Sequence, residues 1–143
     1  MLDLRSAISG ALGATFTVTH QGGPVTINVG IEGQDDETAL PCVFIAMQAG
    51  TSNPSNIGGG GAENRTFCDL LLMALDSDDI DGATLITDIH SAVETTLRAV
   101  EKSLGASFYS HISTFRDRAA HHVGGVIVYE RTLTIHGQNF QSY

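Results

Sequence analysis

The residues best suited to chemistry at neutral pH are six histidines: His20, His90, His111, His121, His122 and His136. One cluster stands out, the adjacent pair His121-His122, with Asp117 four residues before His121. On a helix that i, i+4 spacing could present two metal ligands, or serve a small metal-dependent hydrolase or ligand-binding domain. Adjacent histidines, however, point apart on a helix and on a strand alike, and no third ligand stands at a fixed offset. The pattern therefore predicts solvated loop histidines beside Gly124-Gly125, with no metal and no cofactor.

Other chemical signatures fare no better. Four consecutive glycines, Gly58 to Gly61, sit in "NIGGGGAEN". A phosphate-cradling loop needs GxxxxGK[ST] between a strand and a helix, so that backbone N–H groups and a lysine converge on the phosphates. This run has no lysine, and a strand-like segment follows it. A dinucleotide-binding GxGxxG turn fails on the same context. No GxSxG elbow positions a serine nucleophile. Arg116 and Arg118 could grip an anion or an acidic partner, although surface ion pairing is the commoner use of such residues. Asp76, Asp78, Asp79 and Asp81 precede a helical pattern, where the positive end of the helix dipole favours acids; a calcium loop would need its alternating ligands and closing glutamate. The expectation is a protein that is not an enzyme.

Bulk properties narrow the class further. A chain of 143 residues, 42% hydrophobic and 16% charged, is long enough for one domain with a buried core. Sixteen acids against seven bases give a net charge of −9, which disfavours wrapping a nucleic-acid backbone. No apolar run reaches the roughly 20 residues of a membrane-spanning helix. Cys42 and Cys68 lie in apolar segments without metal-type spacing, which predicts buried reduced thiols and a cytoplasmic setting.

The elements that must position these residues can be read from periodicity. Leu4, Ile8 and Leu12 form one stripe of a short N-terminal helix. Two β-rich runs hinge at Gly22-Gly23-Pro24, and "PCVFIAMQ" is an apolar run of strand length. Residues 49–64 carry Gly, Ser, Asn and Pro without periodicity, which predicts a long mobile hairpin loop. In "RTFCDLLLMAL", Thr66, Cys68, Leu70 and Leu72 alternate with Phe67, Asp69, Leu71 and Met73, a strand that pairs with "PCVFIAMQ". Ile86, Ile89, Val93, Leu97, Val100 and Leu104 mark one long helix, with Gly105 at its C-terminal glycine position. "SFYSHISTFR" and "VIVYERTLTIHG" close the chain as strands. The fold class is α+β: a mostly antiparallel sheet packed against one long helix, with an additional N-terminal helix and a long Gly-rich hairpin loop, in a single domain over residues 1–143.

The order of "LDLRSAISGAL", "LPCVFIAMQ", "NRTFCDLLLMAL", "TLITDIHSAVETTLRAV" and "VGGVIVYERTLTIHG" resembles the tail terminator, or tail-completion, proteins of long-tailed bacteriophages. The resemblance is one of element order over most of the chain, carried by no short motif, and the loop "AGTSNPSNIGGGGAEN" is longer than that pattern has. It implies a structural virion protein of the tail or neck, assembled in the host cytoplasm. Such a protein forms a homo-oligomeric ring, usually a hexamer, that caps the tail tube protein and meets the head connector or stopper protein. DNA passes without specific binding, and no membrane is involved. Another neck component is the related alternative. Two sets of contact residues follow as expectations. The loop residues Ile57, Gly58, Gly59, Gly60, Gly61, Ala62, Glu63 and Asn64 are expected to order against a partner. Phe67, Leu71, Met73, Arg116 and Arg118 are candidates for the subunit interface, because apolar residues on both faces of one strand exceed what a single covering helix needs. The N-terminal helix could instead cover that second face. An acidic ring lumen, drawn from Asp35, Asp36 and Glu37 or from the Asp76–Asp81 cluster, is a further expectation.

Overall fold

A computed structural model of the chain describes residues 4–34, 38–54, 61–76, 81–100, 108–123 and 126–142. The elements run α1 (Leu4–Leu12), β1 (Thr15–His20), β2 (Gly23–Ile31), β3 (Cys42–Pro54), β4 (Gly61–Leu75), α2 (Gly82–Val100), β5 (Phe108–Val123) and β6 (Val126–Ser142). Six strands form one sheet in the order β1-β2-β3-β4-β6-β5. All neighbours are antiparallel except β2 and β3, which run parallel over Asn28–Ile31 and Cys42–Ile45. The mixed α+β layout expected from the order of elements is present.

Local chemistry explains the well-formed pieces. The β1–β2 hairpin turns at Gln21 and Gly22, both with positive φ (50° and 80°), the conformation a two-residue hairpin loop demands. At the start of α2, Asp81 accepts hydrogen bonds from the Ala83 amide (3.2 Å) and the Thr84 hydroxyl (2.9 Å), while Asp76 accepts from the Gly82 amide (3.0 Å). Those two acids satisfy amides that the first helical turn leaves without partners. Asp78, Asp79, Leu104, Gly105 and the acidic trio Asp35, Asp36 and Glu37 lie outside the described residues.

The core sits between one face of the sheet and both helices. Ile8 and Leu12 of α1 and Leu85, Ile86, Ile89, Val93 and Leu97 of α2 are buried together with Val43, Ile45, Cys68, Leu70, Leu72, Leu133 and Ile135 of the sheet. The alternation read in β4 is therefore correct: Thr66, Cys68, Leu70 and Leu72 face the helices. The possibility that α1 covers the opposite face is overturned, because α1 packs into the same cluster as α2.

Two other expectations need correction. Residues 49–54 and 61–64, expected within a mobile loop, belong to a β3–β4 ladder that continues from Ala49↔Phe67 to Pro54↔Ala62. Backbone pairing on both sides of β4, to β3 and to β6, outweighs the weak strand propensity of Gly, Ser, Asn and Pro. Ile57, Gly58, Gly59 and Gly60 lie outside the described residues, whereas Gly61, Ala62, Glu63 and Asn64 pair with Ser142, Gln141, Phe140 and Asn139 of β6. His121 and His122, expected in a loop, are consecutive residues of β5 opposite Val128 and Ile127.

Candidate functional site: the helix-free face of the sheet

Strand alternation sends Phe67, Asp69, Leu71 and Met73 away from the helices. Their cross-strand rows continue on that face, with Cys42 buried at its β3 end. Phe44, Leu71, Thr132 and Arg116 are partners along one row; Cys42, Met73, Glu130 and Arg118 form the next. Backbone register thus gathers Leu71, Met73, Arg116 and Arg118, four of the five expected interface residues, into two adjacent rows, with Phe67 two rows from Leu71 on the same face. Phe44, Leu71 and Met73 are half-buried, while Phe67 is 37% and Met47 60% exposed. Exposed large apolar side chains gathered on one face mark a contact surface more than singly scattered ones do.

A β-bulge shapes one end of this face. Register shifts between Ile45 and Gln48, so that Ala46 and Met47 together oppose Asp69. The Glu32 carboxylate accepts the Met47 amide at 2.7 Å, and the Glu32 amide donates to the Ile45 carbonyl at 2.9 Å. The Arg5 guanidinium holds the Glu32 carbonyl in turn. On the other side, Asp69 accepts the Thr134 hydroxyl at 2.9 Å. The bulge is therefore pinned, and it re-aims Met47 into solvent. Toward β2, Thr38 and Ala39 cross the same face: Thr38 stands against Gly30, and the Asn28 side-chain amide donates to the Ala39 carbonyl at 3.0 Å. A Cβ at Gly30 would meet the Thr38 hydroxyl at 2.0 Å and the Phe44 ring at 3.1 Å, so only glycine fits beneath that crossing.

The polar clusters elsewhere are structural in character. His20 is buried, and its Nδ1 donates to Asp88 at 2.8 Å, tying the β1–β2 hairpin to α2. A catalytic dyad would need a nucleophile at the other ring nitrogen, but Nε2 has no hydrogen-bond partner among the described residues. Arg131 donates to His90 Nδ1 at 2.9 Å, and guanidinium can only donate, so that nitrogen carries the lone pair. His90 Nε2 then faces Glu94 at 3.7 Å, and Glu94 holds Arg98 through two contacts of 2.8 and 3.0 Å. Burial pushes the Cys42 thiol up to about 11 and the Cys68 thiol up to about 12, which suppresses the thiolate that reactivity requires. Among the described residues no group of three or more His, Cys, Asp or Glu side chains could hold a metal ion. The helical spacing considered for Asp117 and His121 does not apply: both lie on a strand, where four residues span about 13 Å.

Sequence reasoning missed the His20–Asp88 and Arg131–His90 pairs because each joins elements distant along the chain. Among the described residues no helix is long and apolar enough to cross a membrane. No family model matches the chain, and no curated protein matches it.

Proposed function

We propose that this chain is an assembly subunit resembling a phage tail terminator, one that closes into a ring and acts by shape rather than by bond-making chemistry. The observation that carries the reading is the one-sided packing. Both helices share one face of the sheet, leaving Phe44, Phe67, Leu71 and Met73 on the other. A ring of identical subunits needs two different surfaces that complement each other head to tail. The helix-free face supplies an apolar patch, and backbone register sets Arg116 and Arg118 of β5 at the ends of its rows in a chain of net charge −9. In this reading the remaining faces of the ring meet the tail tube and the head connector.

Size-exclusion chromatography with light scattering, followed by negative-stain imaging, tests the proposal. Rings are expected for the native chain. Leu71→Arg and Met73→Glu are expected to give folded monomers with unchanged circular dichroism. A native chain that stays monomeric in the presence of tail tubes, or rings that persist in both variants, would refute it.

A further inference from the structure

Two surfaces on opposite sides of the molecule have complementary chemistry. On the helix-free face, Asp69 stands among apolar residues. Phe67 and Leu71 flank it along β4, and the bulge residues Ala46 and Met47 oppose it on β3. Its carboxylate is half-buried, and among the described residues it takes only the Thr134 hydroxyl, at Oδ1. No cationic side chain of the described residues is in ion-pair contact with it. A carboxylate covered by an apolar contact needs a cation to offset its lost hydration.

Across the molecule, the outermost residues of α2 recur at three- and four-residue steps: Thr84, Thr87, Ser91, Thr95 and Arg98, all exposed. The core residues Leu85, Ile86, Ile89, Val93 and Leu97 occupy the other side of the helix. A solvated helix face is ordinarily rich in charge. This one presents four hydroxyl residues, whose helix propensity is poor, and then one arginine in the last turn. The Arg98 side chain is 57% exposed. Glu94 accepts from its Nε and Nη2, which leaves Nη1 for a second carboxylate. Arg5 and Arg131, by contrast, are engaged with Glu32 and His90.

We propose that the helix-free face of one copy receives the outer face of α2 of a second copy, with Arg98 of that copy on Asp69. This contact rests on the ring proposed above and names the surfaces that close it. Laying a helix on a bare sheet face repeats the packing inside each subunit, where α2 covers the other face. The two surfaces differ, as a head-to-tail contact between identical subunits requires. Short hydroxyl side chains let the helix approach Met47, Phe67 and Leu71, and the cation at the end of the stripe meets the carboxylate among them.

Charge reversal, read by size-exclusion chromatography with light scattering, tests the contact. Asp69→Arg opposes two cations and Arg98→Glu opposes two anions, so each chain alone should self-associate more weakly than the native chain by about tenfold or more. An equimolar mixture should regain native assembly, because alternating copies restore one cation and one anion at every contact. A merely structural role of either residue would give no recovery on mixing. Native assembly that persists in either variant, or a mixture that stays dissociated, overturns the contact and leaves the ring standing. A native chain that forms no ring, alone or on tail tubes, overturns both. If a reversed chain loses its circular dichroism signal, Met47→Cys and Thr95→Cys take its place; the native Cys42 and Cys68 are buried. A bismaleimide should join the mixed chains and neither chain alone, and a yield no higher on mixing overturns the contact.

Discussion

Leu70 and Leu71 are chemically identical neighbours on β4, and one-sided packing predicts that truncating them has unequal cost. Leu70 is fully buried, in a row with Ile45 and Leu133 beneath the helices. Leu70→Ala should cost about 2.7–5 kcal/mol, the transfer free energy of the lost methyl groups plus the cavity left among neighbours that relax only in part. Leu71 is half-buried, in a row with Phe44 and Thr132. At about 0.8 kcal/mol per buried CH₂, three carbons removed from a half-wet site cost about 1 kcal/mol. Urea unfolding followed by circular dichroism, at protein concentrations where the chain is monomeric, reads the difference. With a slope of about 2 kcal/mol per molar urea, the midpoint should fall by about 1.4–2.5 M for Leu70→Ala and by about 0.5 M for Leu71→Ala. Equal shifts would refute the reasoning, since they would mean that the outer face is packed as tightly as the core.

Three further outcomes are expected. Gly82→Ala places a Cβ 2.7 Å from the Tyr129 ring and 3.2 Å from the Leu75 carbonyl, so thermal unfolding should show a loss of about 1–3 kcal/mol despite the better helix propensity of alanine. Asp81→Ala removes the acceptor for two donors at the start of α2 and should cost about 0.5–2 kcal/mol by the same measurement, while Asp81→Asn retains most of it. For the thiols, the folded state raises Cys42 to about 11 and Cys68 to about 12 from an ordinary value of 9.0, so the folded chain holds its protons where the unfolded chain releases them. Stability is thus unaffected by these groups below pH 9 and declines as pH climbs from 9 toward 12; urea midpoints between pH 8 and 11 should fall, and fall less steeply in Cys68→Ala.

Where one face of an element is buried and the other is not, the pattern of residue types already tells the fold. Leu4, Ile8 and Leu12, the alternation from Thr66 to Met73, and the stripe from Ile86 to Leu97 all belong to such elements, and each takes the conformation its period implies. β5 is less legible because "SFYSHISTFRDRAAHHV" mixes polar and apolar residues on both faces. It is held as a strand by its ladder to β6, so its extent is a tertiary property. The same holds for residues 49–54. Register is the least visible feature of all. That Arg116 falls beside Thr132 and Leu71, or His111 beside His136, depends on bulges at Ile112/Thr114 and Arg118/His121 that no single-chain period announces. The candidate surface was half legible. Its β4 residues follow from alternation, whereas its freedom from both described helices follows only from where α1 docks.

The lone parallel pairing has a consequence for how the molecule opens. Backbone pairing joins β2 to β3 through only four residues on each strand, Asn28–Ile31 and Cys42–Ile45, while β4 and β6 zip together from Gly61 to Leu75. The β1–β2 hairpin is therefore a flap on a narrow seam, clasped to α2 by His20 and Asp88. Amide exchange should run fastest across this seam and slowest along β4. A molecule so divided breathes at one margin while its four-stranded body, the part that would carry load in an assembly, stays shut.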